Sequence, residues 1–144
     1  MTVTMVSDDD FSRCLLLTTV RTARAVLRRY DARLKPHGVS VVQFSIMVMI
    51  RNNPGRSIHG LAERIATDRS TLTRNIDLLA RDGLVVKENA EKGNAKICRL
   101  TEAGESLLDE LIPLWRKAQA EMQDLLKDRD PEAFLTTLRL LERG

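Results

Sequence analysis

Apolar residues recur at helical spacing through most of this chain, and Gly, Pro, Asn and Asp mark the breaks between the periodic stretches. Between Phe11 and Leu34 the stripe Leu16, Val20, Ala23, Leu27, Tyr30 and Leu34 predicts one long amphipathic helix. Residues 1–7 form a loose start. Ser7 before Asp8, Asp9 and Asp10 suits a helix N-terminus, where acids meet the positive end of the dipole. Pro36 and Gly38 end that helix. Ser40 can cap a second helix from Val41 to about Arg51, apolar on most sides and therefore buried. The next turn is Asn52-Asn53-Pro54-Gly55.

The stretch from Ile58 to Thr101 predicts a compact unit. Ile58, Leu61, Ala62 and Ile65 make one short helix, and Leu72, Ile76, Leu79 and Ala80 a second, after a break at Ala66-Thr67. Asp68 is a good N-cap for the second helix, and Gly83 stands where a C-terminal glycine would end it. Leu84 to Lys87 begins a strand, Ala95 to Leu100 is its partner, and the polar tip from Asn89 to Asn94 contains Gly93. Thr101 caps a long helix to about Leu126, which holds Pro113. That proline costs about 3 kcal/mol in an isolated helix interior, so it calls for a kink or strong packing. Asp130-Pro131-Glu132 starts a last helix with the stripe Phe134, Leu135, Leu138 and Leu141. The expected class is mainly α with a small β-hairpin (α+β): two short helices and a hairpin, a winged helix-turn-helix, flanked by long terminal helices.

Length and composition fit this picture. At 144 residues with 43% hydrophobic and 3% aromatic content, the chain suits one domain with an aliphatic core. Net charge is +3, but its distribution is more informative: residues 1–50, 51–100 and 101–144 balance at +3, +4 and −4. A basic centre and an acidic last third fit a nucleic-acid face opposite an assembly face. Cys14 and Cys98 make no disulfide framework and have no metal-ligand spacing. There is no signal peptide, and the apolar run Val41–Ile50 is far shorter than the roughly 17 residues a membrane span needs, so a cytoplasmic protein is expected. With two histidines and no paired acid and base, nucleophile or metal cluster, an enzyme is not expected, nor a cofactor.

The candidate chemistry lies on the outer face of the second short helix. Ser70, Thr71, Thr73 and Arg74 crowd its N-terminal half, the part of a recognition helix that meets base edges. Short hydroxyl donors and one fork-shaped cation suit phosphates and purine edges. Ser57, Arg69 and Asn75 complete that set. The plain alternative is a solvated face with an Asp77/Arg81 pair at i,i+4. The hairpin carries Lys87, Lys92, Asn94 and Lys96, and as a wing it would reach along a phosphate backbone.

The pieces LAERIATDRSTLTRNIDLLARDGLV and RLTEAGESLLDELIPLWRKAQ are similar to the MarR family of dimeric winged-helix regulators. The specific parts are Leu79, Asp82, Gly83, Leu84 and Val85, and then Leu100, Thr101 and Gly104. The resemblance covers nearly the whole chain and implies a single domain over 1–144, with a DNA-binding core at 40–101 and dimerisation helices at 8–35 and 102–144. It implies a homodimer in which Phe11, Leu15, Leu138 and Leu141 are buried between copies. The partner would be a pseudo-palindromic operator in double-stranded DNA. It also implies a small aromatic or anionic effector, for which Arg21, Tyr30, His37, Phe44, Met47 and Trp115 are the candidate lining. The implied function is a repressor released by that ligand.

One departure stands out. Family members commonly carry an Asp-x-Arg pair at the wing tip, and Lys92 and Asn94 occupy those positions here. Two alternatives stay open: a peroxide-responsive regulator using Cys14, near the start of the first helix, or a helical ligand-binding or interaction protein with weakened DNA binding.

Overall fold

Caps set most of the helix boundaries in the structure, a computed structural model that describes residues 2–65 and 67–144. Met1 and Ala66, the first half of the expected break, lie outside the described residues. Helix α1 spans Asp8–Ser12, with Ser7 and Asp10 in a reciprocal capping box. Helix α2 spans Leu15–Leu34 and passes through a short 3₁₀ turn to Gly38, which takes the left-handed conformation at φ 93°. Helix α3 spans Val41–Asn52 behind a second capping box, Ser40 with Gln43, and the Asp31 carboxylate accepts from the Val41 amide at 2.7 Å. Helices α4 (Ile58–Arg64) and α5 (Arg69–Arg81) follow, then strands β1 (Val85–Asn89) and β2 (Lys96–Leu100). Helix α6 (Glu102–Leu125) and helix α7 (Pro131–Arg143) complete the chain, capped by Thr101 and Asp130.

The strands pair antiparallel, Val85 opposite Leu100 and Asn89 opposite Lys96, and a single bridge adds Ser57 beside Ile97. The core sits between α3, α5, β1 and the first half of α6, where Leu34, Ile46, Met47, Leu72, Ile76, Leu79, Leu108 and Leu111 are sealed from solvent. Burying a leucine is worth about 1.5–3 kcal/mol, so Leu108 and Leu111 together offset the cost of Pro113, around which α6 remains helical.

The structure corrects the expected first helix. The chain breaks at Arg13-Cys14, and Cys14 is extended as the N-cap of α2. In a continuous helix five residues turn about 140° beyond a full circle, so Phe11 would sit far from Leu16; with the break it borders a shallow groove with Leu17 and Arg21. The stripe is also only half used within the chain. Leu34 is buried and Tyr30 half-buried, whereas Leu16 is 69% exposed and Val20 and Leu27 are exposed too. On α7, Phe134 and Leu138 remain 40% and 38% exposed.

Candidate nucleic-acid interface

Helix α5 owes its position to the apolar row Leu72, Ile76 and Leu79, which is buried against α3 and the hairpin, so that its opposite face is left to solvent. Asp68 fastens its first turn. One carboxylate oxygen accepts from the Thr71 amide at 2.7 Å and the Ser70 hydroxyl at 2.7 Å, and the other from the Thr71 hydroxyl at 3.1 Å. The Thr71 amide first, then the two hydroxyls, hold the Asp68 carboxyl below its usual value. At the far end Gly83, at φ 75°, closes the helix, and the Leu84 amide donates to Leu79 O at 2.9 Å.

The outward face forms an open depression of about 610 Å³ lined by Arg69, Ser70, Thr73, Arg74, Asp77, Leu78 and Arg81. Arg69, Thr73 and Arg74 are exposed and enter no side-chain hydrogen bond or ion pair among the described residues, so their donors face outward. Ser70 and Thr71 give their hydroxyl protons to Asp68 and keep acceptor capacity. Asn75, grouped with them from sequence, is half-buried and spent on the scaffold: it donates to Thr71 O at 2.9 Å and accepts from Gln43 Nε2 at 3.3 Å. The Asp77/Arg81 pair is absent. Asp77 pairs with Lys87 on β1, and Arg81 stands 3.8 Å from Asp82. The hairpin brings Lys87 over the helix, and that contact displaces the local one.

Along the wing, Lys96 donates to Asn89 Oδ1 at 2.6 Å and Arg99 pairs with Glu88. These cations are tied along the hairpin, while Lys92 and Asn94 stand exposed at the tip, where Gly93 turns the chain at φ 86°. Ser57, half-buried, lies at the edge of the wing beside β2 through its bridge to Ile97.

The six expected effector residues do not line one site. Phe44 stacks on Trp115 with ring centroids 5.9 Å apart, and Met47 is sealed in the core. His37 is exposed in the 3₁₀ turn, and Arg21 borders a separate shallow groove with Phe11 and Leu17. Tyr30 alone lines the large cleft, about 630 Å³, between α2, α6 and α7; its hydroxyl donates to Gln119, and burial pushes its pKa up. Thr18, Thr22, Val26 and Met122, none of them assigned to an effector site from the sequence, share that cleft. The polar side of α2, at Thr18 and Thr22, was the signal available for it. Cys14 is half-buried at the head of α2; Cys98 is buried in β2, and burial pushes its thiol to about 11. Among the described residues no group of His, Cys, Asp and Glu could hold a metal, and no helix is long and apolar enough to cross a membrane.

Known proteins share this arrangement. A model described as the MarR family matches residues 37–93. The crystal structure of the M. tuberculosis transcriptional regulator MosR is 34% identical, with a TM-score of 0.83, over 92% of this chain and 96% of that one. The chain belongs to the MarR family. A MosR structure in complex with DNA, also 34% identical, aligns over 91% of this chain and 99% of that one with a TM-score of 0.71. The Bacillus subtilis HTH-type transcriptional regulator YwoH is 24% identical over 129 residues, 90% of this chain and 94% of its own length. This MarR-family protein is a DNA-binding transcriptional regulator with a winged-helix fold.

Proposed function

We propose that the protein is a homodimeric repressor that binds a pseudo-palindromic operator and leaves it when a small ligand binds. One observation carries the dimer. Among the described residues, every large exposed hydrophobic except Val86 lies either at position 27 or earlier, or at 125 or later. Exposed apolar side chains gathered on the two ends of the chain mark an interface, and apart from Val3, Met5 and Val6 those at the ends lie within 8–35 and 102–144. A two-fold axis through these arms presents both copies of α5 to successive major grooves about one helical turn, roughly 34–36 Å, apart.

In this reading 40–101 is the DNA-reading core. Arg69, Ser70, Thr71, Thr73 and Arg74 meet base edges and flanking phosphates, and Asn75 holds α5 on α3. Lys92 and Asn94 track the backbone at the wing tip, while Lys87 and Lys96 stiffen the hairpin and add positive field. The effector enters the cleft of about 630 Å³, within the usual 300–1,000 Å³ of small-molecule pockets. That cleft opens on the dimer surface, so an occupant that prefers one setting of the two copies shifts the distance between recognition helices. The MosR structure with DNA supports the DNA partner. A footprint on the DNA beside its own gene, with sedimentation of the free protein, tests the proposal. Two protected half-sites about one turn apart and a dimer are expected; a monomer, or no footprint, contradicts it.

A further inference from the structure

The DNA-reading unit shares its apolar core with α6 through Leu108 and Leu111, and because packed helices can still slide by small amounts, the angle between them is left to the polar joints at the edge of that core. The first joint here is made of backbone. The Thr101 amide donates to Leu84 O at 3.0 Å, and the Thr101 hydroxyl donates to Gly83 O at 2.6 Å. The second is a single side chain. Arg51, near the end of α3, reaches the next turns of α6: Nε donates to Glu105 Oε2 at 2.8 Å, and Nη2 donates to the Glu105 carbonyl at 3.0 Å. Nη2 also lies 2.6 Å from Glu105 Oε2, and Nη1 lies 2.9 Å from Asp109 Oδ1. All three guanidinium nitrogens are engaged. Glu105 and Asp109 stand one turn apart on the same face of α6, and a planar fork matches that pair as no other side chain does.

We propose that Arg51 is a positioning residue that fixes the angle between the DNA-reading unit and α6, and through it the half-site spacing the dimer accepts. Leverage is the reason. Helix α6 has 24 residues and is therefore about 36 Å long, so a tilt of only about 5° at its first turns displaces the far end by about 3 Å. That is close to the 3.4 Å rise of one base pair. The Arg51 side chain keeps 27% of its surface exposed, and ion pairs in that setting contribute little to stability. Its contribution is geometric. This inference rests on the dimer and operator proposed above.

The test uses duplexes built from the footprinted operator, with the two half-sites at the native spacing or one base pair nearer or farther, and a duplex with one half-site. Affinity of the full-length protein is measured by fluorescence anisotropy for wild type, Arg51→Met, Arg51→Lys and Asp109→Asn. Wild type should prefer the native spacing by about tenfold, comparable to the loss from one wrong base pair. Arg51→Met should narrow this to under about threefold while half-site affinity stays within about twofold. Arg51→Lys, a point charge without the fork, and Asp109→Asn, which keeps the chain's packing intact, should fall between. A wild-type spacing profile in Arg51→Met and Asp109→Asn overturns the inference, as does equal loss on every duplex, including the single half-site. Wild type that binds no operator at all overturns the proposed function together with the inference, so the two failures are distinguishable.

Discussion

Gly104, in the first turn of α6, lies directly on the backbone of Leu84: a Cβ at Gly104 would stand 2.0 Å from the Leu84 carbonyl oxygen. Neither partner is the free end of a side chain, so nothing local can yield. Gly104→Ala should force α6 off the hairpin and destabilise the fold by about 1–3 kcal/mol, the range for overpacking a tight interior. A urea titration reads this as a lower midpoint at unchanged slope. An unshifted midpoint would show that the joint is soft.

That joint illustrates what the sequence could reveal. Leu100-Thr101-x-x-Gly104 was legible as a motif, and so were the caps Ser40, Asp68, Thr101 and Asp130, because each acts within a few residues of itself. The long-range choices were not. Spacing alone paired Asp77 with Arg81, and only the fold brings Lys87 to it. Asn75 shares the recognition helix with Arg74, yet Gln43, on another helix, turns it inward. The stripe on α2 was visible, but periodicity does not say whether Leu16 and Val20 meet their own chain or a second one. Arg51 gave no local signal, since its acids are more than fifty positions away.

The Asp68 cap should give α5 a dependence on pH. Its folded carboxyl titrates below the ordinary value because the Thr71 amide and the Ser70 and Thr71 hydroxyls favour the charged form. A depressed folded pKa contributes stability that is present above the unfolded pKa and lost as pH falls through the folded one. The protection factor of the Thr71 amide against hydrogen exchange should therefore drop below about pH 4 in wild type, while Asp68→Asn should show no such step. The same step in the variant would assign it to another carboxylate.

Leu138 on α7 tests the dimer without touching the core. In a two-fold interface each substitution counts twice, so Leu138→Arg should cost about 3–6 kcal/mol of association, or roughly 10²–10⁴ in the dimer dissociation constant. Sedimentation equilibrium should show a monomer with unchanged helix content by circular dichroism. A dimer as tight as wild type would place the interface elsewhere.

Arg74 and Lys92 should separate base reading from phosphate tracking. Arg74→Ala should weaken binding to the operator by about 1–3 kcal/mol and leave random DNA nearly unaffected. Lys92→Ala should lower affinity uniformly and reduce the salt slope by about 1. Equal losses on operator and random duplexes for Arg74→Ala would assign that side chain to phosphate alone.

In the proposed dimer, α5 and the wing of each copy bind operator DNA together. Salt dependence of operator affinity tests it most directly. With roughly 6–10 phosphate contacts, the dissociation constant should rise about 10³–10⁵-fold between 50 and 200 mM salt, while the operator keeps its advantage over a scrambled duplex. Affinity that ignores salt, or that is the same for operator and scrambled DNA, would contradict it.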